Sequence, residues 1–230
     1  MVYGKMVSGS FLERPNRFIA HVQVGGETVV AHVKNTGRCR ELLLPGATVY
    51  LEHNPHPGRK TAYSLIAVQK GELLINMDSQ APNKVVEEAF ATGWMPPGLE
   101  GTVTDLRREV TWGDSRFDFG FLLDGVQGFV EVKGVTLEEA GRVLFPDAPT
   151  QRGVKHLLHL IEAKKAGLHP AVIFLIQMEK ATSFSPNEVT HPAFGQVLRQ
   201  AVDAGVLVSA WSSKITPDSI ALGGPVPIHL

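Results

Sequence analysis

The stretch that most limits how this chain can fold is an aromatic hairpin with three charges inside it. Ser115-Arg116-Phe117-Asp118-Phe119-Gly120-Phe121 runs to a turn at Asp124-Gly125, and the chain returns as Phe129-Val130-Glu131-Val132-Lys133. Side chains alternate along a strand, so Glu131 and Lys133 share one face while Val130 and Val132 share the other. The Asp-Gly turn folds the preceding strand back and brings Asp118 alongside them. The flanking Phe117, Phe119, Phe121, Phe129, Val130 and Val132 imply burial on at least one face. An unpaired buried carboxylate is costly, so Asp118 and Glu131 need a cation or a shared proton.

Two carboxylates beside a lysine make an oxygen-rich site for a magnesium-like ion, with an ammonium at hand for an attacking water or a scissile phosphate. That is the layout of the PD-(D/E)-x-K nuclease core. An acidic-x-lysine strand does not establish it alone, because exposed edge strands use Glu and Lys as solvated, aggregation-blocking residues. The helix that follows adds to the case. Thr150 is its expected N-cap, Gln151 to Glu162 its body and Gly167 its end, with Val154, Leu157, Leu158 and Ile161 as the core stripe. Gln151 and Lys155 fall near another face and are candidates for contacts to substrate or support of the site. The alternative for each is a solvated helix residue.

Further segments extend the pattern across most of the chain. They are Arg14-Pro15-Asn16-Arg17-Phe18, Val33-Lys34-Asn35-Thr36-Gly37-Arg38, Pro45-Gly46, Arg59-Lys60, Gly113-Asp114-Ser115-Arg116-Phe117-Asp118, Val130-Glu131-Val132-Lys133, Phe145-Pro146-Asp147-Ala148 and Arg152-Gly153-Val154-Lys155-His156-Leu157. In order and spacing the chain resembles the sugar fermentation stimulation protein A (SfsA) family. The resemblance implies an N-terminal OB-type barrel, a C-terminal nuclease-like domain and DNA binding. Two positions depart from it: Gly134 stands where an Asn is usual after the lysine, and Cys39 where a Met is common.

The 230 residues suffice for one large or two modest domains, and 43% hydrophobic content is ample for real cores. Residues 1–80 carry nine Lys and Arg against six acids, and residues 81–230 thirteen against seventeen, for a net charge of −1. The balance speaks against a protein that coats DNA indiscriminately and for a local basic surface in the front part. The single cysteine excludes an internal disulfide and a multi-cysteine zinc site, in keeping with a reducing cytoplasm. No signal peptide is evident, and the longest apolar run, Ala171 to Ile176, is too short to span a bilayer. The expectation is a cytoplasmic protein without a membrane partner.

Residues 1–80 read as a small barrel of about five short strands: Arg17 to Val24, Thr28 to Lys34, Ala47 to His53 and Ala62 to Lys70 alternate or are β-branched. Residues 81–230 read as a nuclease-like α/β domain with a mixed sheet, with strands near 103–112, 117–124, 129–135, 171–177 and 206–211. Helices are expected from Lys84, capped by Asn83, and from near Gln151 and His191. In the front part Arg14, Arg17, Lys34, Arg38, Arg40, Arg59 and Lys60 gather in turns and strand ends, with Phe11, Phe18, Tyr50 and Tyr63 close in sequence. OB barrels bind single strands with such a pairing of basic groove and aromatic faces. We assign Arg14, Arg17, Lys34, Arg38, Arg59 and Lys60 to DNA phosphates. Individually, the aromatics read as core.

Other constellations are weaker. Gly113-Asp114-Ser115 begins like a hydrolase motif, yet Ser115 reads as shaping a turn. His156 and His159, three apart on one helix, read as satisfied or half-buried histidines rather than metal ligands. No phosphate loop or dinucleotide fingerprint is present. The sequence therefore predicts a DNA-binding protein with a Mg2+- or Mn2+-dependent phosphodiesterase site. Asp118 and Glu131 would hold the ion, the Val132 carbonyl would add a ligand, Lys133 would orient or activate water, and Glu109 would supply a further acid. The alternative is a non-catalytic DNA-binding regulatory protein linked to sugar metabolism that keeps a nuclease fold.

Overall fold

A computed structural model describes every residue except Thr36, Arg38 and Arg59. The front of the chain forms β1 (Lys5–Asn16), β2 (Ile19–Val24), β3 (Glu27–Val33), β4 (Thr48–His53), β5 (Tyr63–Lys70) and β6 (Leu73–Asn76), in the order β3-β2-β1-β4-β5-β6. A parallel pairing of β3 with β5, Ala31 opposite Tyr63, closes the first five strands into a barrel. Its interior holds Phe11, Ala20, Val22, Ala31, Val33, Val49, Leu51, Leu65 and Val68, the inward members of alternating strands. β1 escapes the sequence pattern because only Phe11 among its twelve residues is buried and bulges interrupt its pairing with β2 at Glu13.

The helix α1 (Ala81–Ala91) links this barrel to the rest. It starts at Ala81, earlier than Asn83 suggested, because Pro82 fits the first turn of a helix with its fixed φ and missing N–H. Then come β7 (Val103–Trp112), β8 (Ser115–Leu123), β9 (Val126–Val135), the short pair β10 (Leu137–Glu139) and β11 (Arg142–Phe145), α2 (Gln151–Lys165), β12 (His169–Ile176), β13 (Ser183–Pro186), α3 (Pro192–Asp203), β14 (Leu207–Thr216) and β15 (Ser219–Pro225). The main sheet runs β15-β14-β12-β9-β8-β7, with β12 parallel to both β9 and β14 and the remaining pairs antiparallel. The strands β10, β11 and β13 form a separate three-stranded sheet.

Asp124 and Gly125 both adopt positive φ, 49° and 85°, the type I′ turn that a two-residue hairpin loop favours. On one face of the main sheet Phe119, Phe121, Val130, Val132, Ile173 and Leu175 pack with Val85, Val86 and Phe90 of α1. On the other, Phe117, Phe129, Val172 and Phe174 pack with α2 and α3. Thr150 caps α2 by accepting the Gly153 N–H at 3.0 Å. The inward stripe of α2 is Leu157, Leu160 and Ile161, with His156 beside it, while Leu158 faces outward at 41% exposure. Among the described residues no helix is long and apolar enough to cross a membrane.

Barrel and main sheet are tied by buried polar contacts. Lys34 Nζ lies 2.6 Å from Asp78 Oδ2, a fully buried carboxylate, and Gln177 Nε2 donates to Asn76 Oδ1 and to the Asp78 carbonyl. Removing one partner of a buried pair strands the other charge. Lys34→Met should therefore lower unfolding stability by about 3 kcal/mol, read from urea denaturation.

Candidate active site

The β8–β9 ladder pairs Leu123 with Val126 and continues as far as Phe119 opposite Val130. Beyond that point β8 stays with β7, Val110 opposite Phe117 and Thr111 opposite Arg116, and parts from β9. Continuing the register would set Asp118 against Glu131. The Val132 N–H, which a continuing ladder would give to a β8 carbonyl, is given instead to Asp118 Oδ2 at 2.7 Å. A residue in such a pair turns its N–H and C=O to the same neighbour, so the Val132 carbonyl also faces the gap. Phe117 and Phe119 pack in different clusters although two residues apart, so strand alternation breaks at Asp118.

Around this gap the side chains converge. Asn83 Nδ2 donates to Asp118 Oδ1 at 2.7 Å. Lys133 donates to Glu131 Oε1, and His156 Nδ1 lies 2.6 Å from the same oxygen. Glu131 and His156 are each only 4% exposed. Arg152 Nε donates to His156 Nε2 across 3.4 Å, which places the ring proton on Nδ1 and makes His156 the donor to Glu131. Glu131 Oε2 is buried and has no hydrogen-bond partner among the described residues.

The two carboxylates are driven apart in acidity. Burial, and then the negative charge of Glu131, raise Asp118 above the usual aspartate range, against the Val132 N–H, Lys133 and Asn83. Burial also disfavours ionised Glu131, but the His156 hydrogen bond and the Lys133 charge outweigh it and hold Glu131 below its ordinary value. Glu131 is the acid that stays ionised, and Asp118 is the one that holds a proton more readily.

The structure thus brings Asp118, Glu131, Lys133 and the Val132 main chain together. Glu109 does not join them: its backbone is left-handed, φ 54°, and its carboxylate sits at the surface 3.5 Å from Arg116. Gln151 is exposed on the first turn of α2, and Lys155 donates to the Asp114 carbonyl at 3.2 Å beside the β7–β8 turn. His159 pairs with the buried Ser115 hydroxyl, 2.6 Å away, so the two histidines of α2 serve different partners. Sequence reasoning misses Asn83, which reads as a cap, and His156, which reads as a core residue. A polar residue at a buried helix position next to Leu157 is the available signal for His156. Gly134 leaves room for a neighbour, since a Cβ there would fall 2.5 Å from Gln177 Oε1 and 2.7 Å from Pro82 Cγ.

The basic residues of the barrel divide. Arg14 commits its guanidinium to the carbonyls of Gly37, Arg17 and Asn35, bracing the loop that follows β3, and Lys34 is held by Asp78. These two hold structure together with the groups assigned above to phosphates. Arg17 is exposed, its guanidinium 4.6 Å from the ring centre of Phe18, itself 43% exposed. Lys60 is also exposed. Arg14, Asn16, Arg17 and Arg40 line a shallow cavity of about 290 Å3. Arg38 and Arg59 lie outside the described residues.

Residues 80–219 match the family described as "Sugar fermentation stimulation protein RE domain", and residues 12–77 match "SfsA N-terminal OB domain". The chain belongs to the SfsA family. A sugar fermentation stimulation protein homolog from Desulfitobacterium hafniense is 50% identical over 230 residues, covering 100% of this chain and 99% of that protein. A homolog from Clostridium perfringens is 52% identical over 223 residues, covering 96% and 95%. Among solved structures, Pyrococcus furiosus SfsA in complex with Ca2+ superposes with a TM-score of 0.89 at 27% identity, covering 100% of this chain and 98% of that one. The closed barrel followed by a mixed sheet is therefore the SfsA architecture, with its OB-type front domain.

An acid whose folded-state pKa is raised makes the fold lose stability as pH climbs from the ordinary aspartate range through the raised value, and the loss is complete above it. Asp118→Asn removes that penalty, and the Asn83 amide, turned over, can accept from the new side-chain amide. In EDTA at neutral pH the variant should melt about 2–4 °C above the wild type, the equivalent of ~1 kcal/mol in a chain of this size. The difference should shrink as the pH falls toward 4. Thermal melts across that range check the sign.

Proposed function

We propose that this SfsA-family chain is a DNA-binding phosphodiesterase that depends on Mg2+ or Mn2+, with Asp118, Glu131 and Lys133 as its catalytic residues. The observation that carries the reading is Glu131 Oε2, a buried oxygen of an acid held in its ionised form, without a hydrogen-bond partner among the described residues, beside Asp118. A divalent cation relieves both the orphaned oxygen and the repulsion that raises Asp118. Asp118, Glu131 and the Val132 carbonyl would hold it. Among the described residues no group of three or more His, Cys, Asp or Glu side chains is set to bind an ion. So sparse a donor set suits Mg2+, which keeps several waters and takes one or two carboxylates plus phosphate oxygens. The Pyrococcus furiosus relative forms a complex with Ca2+, another cation that seeks oxygen ligands, which supports the reading.

When bound, the ion supplies a more acidic coordinated water and compensation for charge developing on the phosphate. The ammonium of Lys133 carries three donors, one of them committed to Glu131, which leaves others for a water or a phosphate oxygen. Its charge also keeps Glu131 ionised. Phe117, 5.9 Å from the His156 ring, and Phe129, 5.2 Å from Phe117, are buried apolar neighbours that lower the local dielectric and strengthen these interactions. DNA reaches the barrel through the exposed basic residues Arg17 and Lys60, with Phe18 as a surface on which a base stacks.

Labelled single- and double-stranded DNA, incubated with the pure protein in Mg2+, Mn2+ or EDTA, is expected to be cut only with metal. Glu131→Gln with Lys133→Ala should abolish cutting and leave metal-free DNA affinity unchanged. Binding without cleavage by the wild type would select a non-catalytic DNA-binding regulatory protein instead. Arg17→Ala should weaken DNA binding alike for every sequence and lower the salt slope by about 1, because one fewer phosphate contact releases counterions. Fluorescence anisotropy at several salt concentrations measures both.

A further inference from the structure

We infer that His156 is a positioning residue for the metal: its Nδ1–H holds Glu131 by Oε1 and so leaves Oε2 turned into the cleft as the oxygen that meets the cation. The inference rests on the proposed metal-dependent reading of the site and deepens it. Three observations support it. The Nδ1–Oε1 distance is 2.6 Å between two residues each 4% exposed, so solvent does not compete for the contact. The ring is held from its other edge by Arg152 Nε at 3.4 Å and packs in a T-shaped contact with Phe117, which fixes both its orientation and the nitrogen that carries the proton. Glu131 is held asymmetrically, with Lys133 and His156 both on Oε1 and, among the described residues, no donor on Oε2.

A carboxylate gripped by one oxygen cannot rotate to exchange its two oxygens without breaking both hydrogen bonds. Lys133 cannot supply that restraint alone. It lies two residues from Glu131 on the same strand, so its flexible stem follows the carboxylate wherever it turns. His156 comes from α2, a separate element locked against the sheet by Leu157, Leu160 and Ile161, and so provides an external reference. Histidine does not touch the ion in this arrangement; it acts through Glu131, as partners that orient metal-ligating carboxylates do.

The test compares three variants by titration calorimetry with Mn2+ on the full chain. In His156→Asn the amide nitrogen takes the place of Nδ1 and keeps the hydrogen bond. His156→Gln reaches the place of Nε2 instead, and His156→Leu keeps bulk without a donor. Mn2+ affinity is expected to stay within about threefold of wild type for Asn and to fall at least tenfold for Gln and Leu, the lower end of what supporting partners of metal ligands contribute. Melting in EDTA, measured alongside, reports packing, which does not order the variants in this way. Should the Leu variant fail to fold, the Asn and Gln pair carries the comparison. Equal Mn2+ affinity in wild type and all variants would overturn the positioning role and leave the metal site standing. An Asn variant as weak as Gln and Leu would overturn it too, because bulk and not the hydrogen bond would then matter. No Mn2+ binding by the wild type would overturn both the role and the metal site.

Discussion

The arrangement of the C-terminal half depends on one hydrogen bond, from the Val132 N–H to the Asp118 carboxylate. Buried backbone donors must be paired, and in a sheet the neighbouring strand normally does it. Here a side chain does, which lets β8 leave β9 after Phe119 and follow β7 without stranding a donor. The departure opens the gap in which Asp118 and Glu131 face one another. It also turns Phe117 to the α2 side of the sheet, while Phe119 stays on the α1 side with Phe90. Asp118 is thus part of the sheet and of the site at once: burial and the neighbouring Glu131 raise its pKa, and the Val132 N–H that it accepts opposes them.

The barrel is joined to this gap through a short run of polar contacts. Arg14 braces the carbonyls of Asn35 and Gly37, Lys34 pairs with Asp78, and Ser79 donates to the Lys34 carbonyl. Asp78 in turn opens the segment into α1, whose first turn carries Asn83 to Asp118. All of these links except the exposed Ser79 contact are partly buried, so they are worth more than a solvated surface pair and more costly to break. The front loop and the carboxylate gap therefore share a rigid frame. The basic residues divide accordingly: Arg14 braces the loop after β3 and Lys34 pairs with Asp78, while Arg17 and Lys60 face solvent.

Much of this was legible in the sequence where pattern and chemistry agree. The Asp-Gly turn, the aromatic hairpin, the Thr150 cap and the parallel strand at Ala171 all carry local signals that tertiary packing did not override. Asp118, Glu131 and Lys133 were legible because charges inside apolar strands are costly unless partnered. What was hidden depended on partners remote in sequence. Asn83 reads locally as a cap, and only the approach of α1 to β8, 35 residues on, gives its amide another acceptor. Leu158, expected on the core stripe, faces outward, while His156 is buried with Glu131 as a partner that the local sequence does not reveal. Glu109 looked usable because periodicity assumes extended backbone, and a positive φ at that residue breaks the assumption. Lys34 and Arg14 looked free because a basic residue beside Gly and Asn carries no mark of the carboxylate or carbonyl it will meet.

The cost of the carboxylate gap bears on what it is for. A buried charged pair is often replaceable by apolar groups with no loss of stability, and sometimes with a gain. Here four donors, from Asn83, Val132, Lys133 and His156, are committed to two acids, and one oxygen is still left unpaired. A purely structural site would satisfy that oxygen too, either with a further donor on Glu131 Oε2 or with a neutral side chain in place of one acid. Instead the donors satisfy three of the four carboxylate oxygens and hold Glu131 ionised. The residual deficit is confined to a single buried atom, Glu131 Oε2, and it is on this deficit that the proposed cation reading rests.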